Sequence, residues 1–340
     1  MKITIVGAGA IGGYVGAHLA LSGEDVTFIA RGANLAAIRN GGIKLVMGDG
    51  AEHVAGNVQA TSDCAEAGPQ DLVILAVKAH QLEAVARDVP KLFAPETAVV
   101  TMQNGIPYWY FHGHGGPLAG HRLQSVDPSG VIAEMIPPER VIGCVVYPAS
   151  ELLAPGVIGN VDGNRFPIGE LDGSSSERVQ RVSECFGKAG FKSPVLADIR
   201  AEIWLKLWGN VSFNPISALT RATLVDICQN PLTRALVADM MREAEAVAAK
   251  LGVSFRVPLE KRVAGAERLG CHKPSMLVDV EAGRDLELDA LVGAVVEIGR
   301  LTSTPTPLID AVHALARLFA DTAARQWREQ PKAGPGRKVS

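Results

Sequence analysis

Ile3-Thr4-Ile5-Val6-Gly7-Ala8-Gly9-Ala10-Ile11-Gly12 opens this chain of 340 residues, and its reading decides the fold. Ile3 to Val6 is a short β-branched run, which favours a strand. Glycines follow at the first, third and sixth positions of the next segment. An apolar stretch then runs to Leu21, a polar turn covers Ser22 to Asp25, and Val26-Thr27-Phe28-Ile29-Ala30-Arg31 reads as a second strand. Strand, glycine turn, helix and strand at this spacing make one βαβ unit carrying a dinucleotide fingerprint. Gly7 allows the tight turn off the strand. Gly9 lets backbone approach a pyrophosphate, and Gly12 lets the helix pack close to the sheet. The helix N-terminus offers unpaired N–H groups and the positive end of its dipole to phosphate. Gly7, Ala8, Gly9, Ala10, Ile11 and Gly12 are therefore the expected cofactor-binding turn.

The tip of the second strand bears on cofactor choice. A NAD site places an acidic residue there for the ribose 2′-hydroxyl. Here the strand ends Ala30-Arg31-Gly32. Arg31 can pair with a 2′-phosphate through its planar guanidinium, which points to NADP(H).

Further runs extend the same pattern. Asp71–Val77, Ala98–Met102 and Arg140–Tyr147 are near-continuous apolar strands separated by helical stretches, as in a parallel sheet covered on both faces. Gly156-Val157-Ile158 and Arg165–Gly169 read as short antiparallel strands at the edge of that sheet. From Asp198, a plausible N-cap, the strand signal stops. Helical periodicity covers Ile199–Phe213, Leu232–Leu251, Leu259–Leu269, Ser275–Gly283, Leu288–Leu301 and Leu308–Arg328. The expected fold is α/β: a Rossmann-type, doubly wound parallel sheet over residues 1–197, then an all-helical substrate and catalytic domain over 198–330. The Pro/Gly-rich basic tail 331–340 is expected to be disordered.

Bulk numbers exclude several classes. Net charge is −3, so no nucleic-acid partner is implied, and 47% hydrophobic content is enough for real cores. Five scattered cysteines, with no Cys-x-x-Cys, argue for reduced thiols in a cytoplasmic protein and against a zinc site. The apolar N-terminal run holds five glycines and His18, which fits the fingerprint and not a signal peptide or membrane span.

Lys78 directly follows one apolar strand and Gln103-Asn104-Gly105 another. Carboxyl ends of strands face the ligand crevice in such sheets, so Lys78 can lie over the cofactor and Asn104 can meet its nicotinamide end. The segment Ala201–Pro215 is apolar nearly all round, and so reads as buried. Within it Lys206, Asn210 and Asn214 recur every four residues, stacking a lysine and two amides on one face. Such groups are costly to bury unless they serve a site or one another. Pro215 should bend or stop the helix at Asn214.

At these residues the chain resembles the ketopantoate (2-dehydropantoate 2-) reductases. The matching pieces are the Gly7–Gly12 fingerprint, Arg31, Val77-Lys78-Ala79 and Gln103-Asn104-Gly105. They continue with Arg200–Leu207, Asn210, Asn214-Pro215, Pro274–Asp279 and Glu287-Leu288-Asp289, in family order over nearly the whole chain. The resemblance implies NADPH-dependent reduction of a 2-keto acid, 2-dehydropantoate in pantothenate and coenzyme A synthesis. It implies that Lys206 donates the proton, that Asn104, Asn210, Asn214 and Ser275 bind substrate, and that Glu287 is catalytic and also contacts cofactor. The apolar helical half offers a face for a homodimer, a state found in the family. After Asn104-Gly105 the chain departs from the common pattern with Ile106-Pro107-Tyr108-Trp109-Tyr110-Phe111 and a stretch containing His112, His114 and His121. No Cys or acid joins these histidines at ligand spacing, so no metal is expected. An aromatic cap over the pocket would favour a reductase of another 2-keto acid with the same lysine chemistry. A third reading is an NADPH-binding regulator without catalysis.

Overall fold

The computed structural model describes residues 1–329; the tail expected to be disordered lies outside them. Contacts divide the chain into two compact units, Met1–Lys206 and the remainder from Leu207. The sequence puts its boundary at residues 197/198, just before a long helix. The division of contacts falls inside that helix, after Lys206.

The first unit begins β1 (Lys2–Val6), α1 (Ala10–Leu21), β2 (Asp25–Ile29), α2 (Gly32–Gly41). It continues through β3 (Ile43–Val46), β4 (Glu52–Ala55), β5 (Gln59–Thr61), α3 (Cys64–Ala67), β6 (Gln70–Leu75), α4 (Leu82–Ala86) and β7 (Phe93–Thr101). Then come α5 (Val131–Met135), β8 (Val141–Cys144), β9 (Ala149–Ala154), β10 (Val157–Asp162), β11 (Ile168–Glu170), α6 (Glu177–Lys188) and the start of α7 (Ile199–Thr220). Seven strands form one sheet in the order β11-β8-β7-β6-β1-β2-β5. All neighbours are parallel except β11, which runs antiparallel to β8 at the edge. The central strands are buried along most of their length, which is why they read as unbroken apolar runs.

The expected pair of edge strands is half right. Ile168–Glu170 is the antiparallel edge strand. Val157–Asp162 instead belongs to a separate four-stranded sheet, β4-β3-β10-β9, in which it pairs parallel with β3 and antiparallel with β9. That second sheet explains α1. The helix packs on β1 and β2 and also touches β3, β4, β9 and β10. A helix covered on both sides must be apolar all round, as Ala10–Leu21 is. The partner strands β4 and β9 are largely exposed, so no apolar run announces them.

The aromatic segment after Asn104 packs into the first unit. Tyr108, Trp109, Tyr110 and Phe111 are all buried. Trp109 Nε1 donates to Thr101 Oγ1 at 3.0 Å, Tyr108 donates to the Ile136 carbonyl at 2.8 Å, and Trp204 Nε1 donates to the Tyr110 hydroxyl at 2.7 Å. The Arg200 guanidinium donates to the carbonyls of Tyr110, His112 and Leu171. The cap expected from this insertion is thus a packed wedge between β7 and α7. Apolar rings gain more from burial than from exposure at a crevice rim.

The second unit is helical, as expected: the rest of α7, then α8 (Leu224–Gln229), α9 (Pro231–Lys250), α10 (Leu259–Arg268), α11 (Ser275–Glu281), a π-turn at Asp289–Gly293, α12 (Ala294–Leu301) and α13 (Pro307–Glu329). Trp208 stacks on Phe255 at 4.2 Å and donates to the Met241 carbonyl at 2.7 Å, which ties α7 to α9. Glu243 on α9 accepts from the backbone N–H groups of Leu308 and Ile309, capping the start of α13. Pro215 neither stops nor ends α7, which runs on to Thr220.

Candidate active site

The glycine turn is built as its sequence requires. Gly7 has φ +104°, and its N–H donates to the Ile29 carbonyl at 3.1 Å, tying β1 to β2 at the turn. A Cβ on Gly12 would lie 1.9 Å from the Gly7 carbonyl oxygen and 3.0 Å from the Ala76 side chain, so α1 starts pressed against the turn and the end of β6. Gly9, the N-cap residue of α1, differs: a Cβ there would meet nothing within 4 Å. The first turn of α1 has no side-chain cap and no acidic residue. An open N-cap, uncapped N–H groups and no competing carboxylate suit a pyrophosphate. Arg31 is exposed at the carboxyl end of β2, as N-cap of α2.

Lys78 is half-buried just past the carboxyl end of β6. Gln103 locks this end to that of β7. Its side-chain nitrogen donates to the carbonyls of Leu75 and Val77 at 2.8 and 2.9 Å. The next residue, Asn104, is thereby held at the carboxyl end of β7.

Lys206 reaches the same place from α7. Asp198 caps the start of that helix, accepting from the Ala201 N–H at 2.9 Å, as expected. Two turns on, the half-buried Lys206 donates from Nζ to Asn104 Oδ1 at 2.5 Å and to the Val146 carbonyl. The ammonium thus lies between the chain segments that leave β7 and β8. Burial pushes the neighbouring Cys144 thiol up to about 12, against the smaller opposing pull of the Lys206 charge, so no thiolate nucleophile competes here. Cys64, Cys185 and Cys228 are likewise buried free thiols.

The other expected residues lie in the second unit. Asn210 is half-buried, and Asn214 is 4% exposed and donates to Ser275 Oγ at 3.4 Å. That bond joins two residues the sequence singles out separately. Ser275 is the first residue of α11, after Pro274. Glu287 is 8% exposed, two residues before the π-turn, so it is no surface charge.

Three residues beside Lys206 escaped the sequence reading. Glu202, 1% exposed, accepts from the Tyr147 hydroxyl at 2.9 Å and from Arg165 Nη1 at 2.7 Å. The signal was available: Glu202 extends the stripe of Lys206, Asn210 and Asn214 by one turn upstream. Among the described residues no group of three or more His, Cys, Asp or Glu side chains is placed to hold a metal.

Comparison with known proteins agrees with this arrangement. Residues 3–173 match the family model "Ketopantoate reductase PanE/ApbA", and residues 198–320 match the model of its C-terminal domain. A 2-dehydropantoate 2-reductase of Mesorhizobium japonicum is 54% identical over 321 residues, 94% of this chain and 98% of that protein. One from Pyrococcus horikoshii is 30% identical over 318 residues, 93% of this chain and 97% of that protein. The crystal structure of 2-dehydropantoate 2-reductase from Geobacter metallireducens superposes with a TM-score of 0.82 at 27% identity, over 94% of this chain and 100% of that one. With both halves matched, in order and over nearly their full length, the chain belongs to the ketopantoate reductase family.

Proposed function

We propose that this protein reduces 2-dehydropantoate (ketopantoate) to pantoate with NADPH, a step in the synthesis of pantothenate and coenzyme A. It is an oxidoreductase of an NAD(P)-dependent family, acting on a small keto acid. The observation that carries the reading is the Lys206 ammonium, held by Asn104 Oδ1 and the Val146 carbonyl beyond the carboxyl ends of β7 and β8. In a doubly wound sheet that edge is the ligand crevice.

The reduced nicotinamide, when bound, supplies the hydride to the keto carbon. This chain's residues do the rest. Gly7 to Gly12 and the α1 N-terminus would bind the pyrophosphate, Arg31 would pair with the 2′-phosphate, and Lys78 would contribute a positive charge to the same site. Asn104 orients both the nicotinamide end and Lys206. As charge develops on the carbonyl oxygen, Lys206 stabilises it and delivers the proton from Nζ. Asn210, Asn214 and Ser275 hold the substrate's carboxylate and hydroxyl. Glu287 would contact the new hydroxyl and the cofactor.

The choice of NADP(H) rests on Arg31 and on the lack of an acid at the β2 tip. A homodimer would use the second unit, where Leu315 and Leu318 on α13 are 59% and 62% exposed. Light scattering at micromolar concentration would return twice the chain mass. Among the described residues no helix is long and apolar enough to cross a membrane, and a cytoplasmic site is in keeping with the free cysteines.

The experiment is NADPH oxidation by the purified protein, with ketopantoate set against a panel of other 2-keto acids. Ketopantoate should be turned over at least about tenfold faster than any other, a difference of about 1.4 kcal/mol in barrier. A faster reaction with another keto acid would move the substrate and keep the lysine chemistry. Tight NADPH binding with no turnover on any of them would make the chain a cofactor-binding regulator.

A further inference from the structure

We infer that Glu202 and Tyr147 form the seat on which the Lys206 ammonium is held, which makes both positioning residues for the reaction. The inference rests on Lys206 being the proton donor. It explains a cost that assignment leaves open: a carboxylate 1% exposed, one helical turn before the lysine. A buried charge is unfavourable unless it is paired, and keeping one needs a reason.

The reason lies in how the acceptor for Lys206 is fixed. The Val146 carbonyl takes a hydrogen bond from Nζ. The segment carrying that carbonyl leaves β8 and is secured on one side by backbone bonds, Val145 N–H to the Pro167 carbonyl at 2.9 Å and Tyr147 N–H to the Arg165 carbonyl at 3.2 Å. On its other side the Tyr147 hydroxyl donates to Glu202 at 2.9 Å. Glu202 and Lys206 stand at i and i+4 on α7, so they project from one face, about one turn apart. One turn of helix thus carries both the ammonium and the anchor of the residue next to its acceptor. The ring closes through Lys206, Val146, Tyr147 and Glu202.

Arg165 makes the charged anchor tolerable. It donates to Glu202 at 2.7 Å, and its guanidinium lies 5.0 Å from the centre of the Tyr147 ring. Burial, with the Glu202 carboxylate adding to it, pushes the Tyr147 phenol up to about 12. The hydroxyl therefore keeps its proton and stays a donor across the working range of pH. A strut alone would need only an uncharged acceptor for that hydroxyl. The carboxylate accepts from both the Tyr147 hydroxyl and Arg165 Nη1, so it holds the two chain segments together.

The test compares Glu202→Gln, Tyr147→Phe and Lys206→Ala with the wild type. Thermal stability, NADPH affinity by fluorescence of the bound nicotinamide, kcat and its solvent deuterium isotope effect are measured for each. The expected result for Glu202→Gln and Tyr147→Phe is NADPH affinity close to wild type, a kcat lower by about tenfold or more and a larger solvent isotope effect, because an ill-held ammonium slows proton transfer. Glu202→Asp should restore part of the kcat. A drop in thermal stability with kcat and isotope effect unchanged would overturn the inference and leave Glu202 a strut. Should Glu202→Gln fail to fold, Tyr147→Phe, which removes one oxygen, decides alone. Lys206→Ala separates the two levels. If it turns over like wild type, the proton-donor assignment itself has failed. If it is inactive while Glu202→Gln and Tyr147→Phe are unaffected, only the positioning role has failed.

Discussion

Lys206 is the residue on which the proposed chemistry turns. Lys206→Ala removes the ammonium that donates to Asn104 Oδ1 and the Val146 carbonyl, a group that can both carry charge and deliver a proton. We expect kcat to fall by about two to four orders of magnitude with NADPH affinity near wild type, since the glycine turn proposed to bind the cofactor is untouched. Turnover within a few-fold of wild type, read by NADPH oxidation, would sink the assignment. Arg31 bears on a different property. It is exposed at the β2 tip, so a 2′-phosphate contact there is partly screened by water. Arg31→Ala should weaken NADPH by about 1.5 kcal/mol, roughly tenfold, and leave NADH almost unchanged. Equal losses for both cofactors, by fluorescence titration, would remove the basis for the NADP(H) preference. The stripe of Lys206, Asn210 and Asn214 was legible because polar groups stood out in an apolar helix. Glu202 stands on the same stripe one turn upstream, but a single acid in a helix's first turn also reads as a response to the dipole; its 1% exposure decides between the two.

At the scale of elements, the strand–turn–helix at the N-terminus has the least room for change. A Cβ on Gly12 would lie 1.9 Å from the Gly7 carbonyl oxygen, a backbone atom that cannot swing aside. Gly12→Ala should therefore lift α1 off the turn. We expect a loss of about 3 kcal/mol in stability, at the upper end for overpacking, and a large loss of NADPH affinity. Unchanged denaturation and cofactor titration curves would show that the turn yields more easily than its geometry implies. α7 gives the opposite lesson. A proline inside a helix costs roughly 3 kcal/mol, and from Pro215 alone the helix should bend or stop at Asn214. Yet Val211 to Ala218 are buried without a break. Each fully buried apolar side chain there contributes about 1.5–3 kcal/mol, so packing outweighs the lost backbone bond and the helix continues to Thr220. The second sheet was also hidden at this scale: its edge strands β4 and β9 are largely exposed and carry no apolar run.

For the whole molecule, the pH dependence of stability follows from two histidines, one in each unit. His18 stands among Tyr14 and Phe191, with ring centres 4.8 and 5.0 Å away, and burial holds its imidazole below the usual value. Burial, with the Arg317 charge adding to it, does the same for His313. A lowered folded-state value means that the unfolded chain takes up the proton first. The contribution to stability is therefore complete above about pH 6.5 and declines as pH falls below it. Urea denaturation across that range should show the decline, and His18→Gln and His313→Gln should each flatten it; a slope unaltered in both variants would assign the acid sensitivity to other groups. By itself the sequence determined the α/β class, the glycine turn after β1, the onset of the helical half and the polar stripe on α7. Those features depend on local spacing: period two or near-continuous apolar runs for strands, period 3.6 for helices, and glycine where backbone must come close. Only the tertiary structure decided the second sheet over α1, the burial of the aromatic insertion, the continuation of α7 through Pro215, and the meeting of Lys206 with Asn104 and of Asn214 with Ser275. Each of these is a contact between residues far apart in the chain, and its free energy comes from surfaces and partners that no local pattern contains.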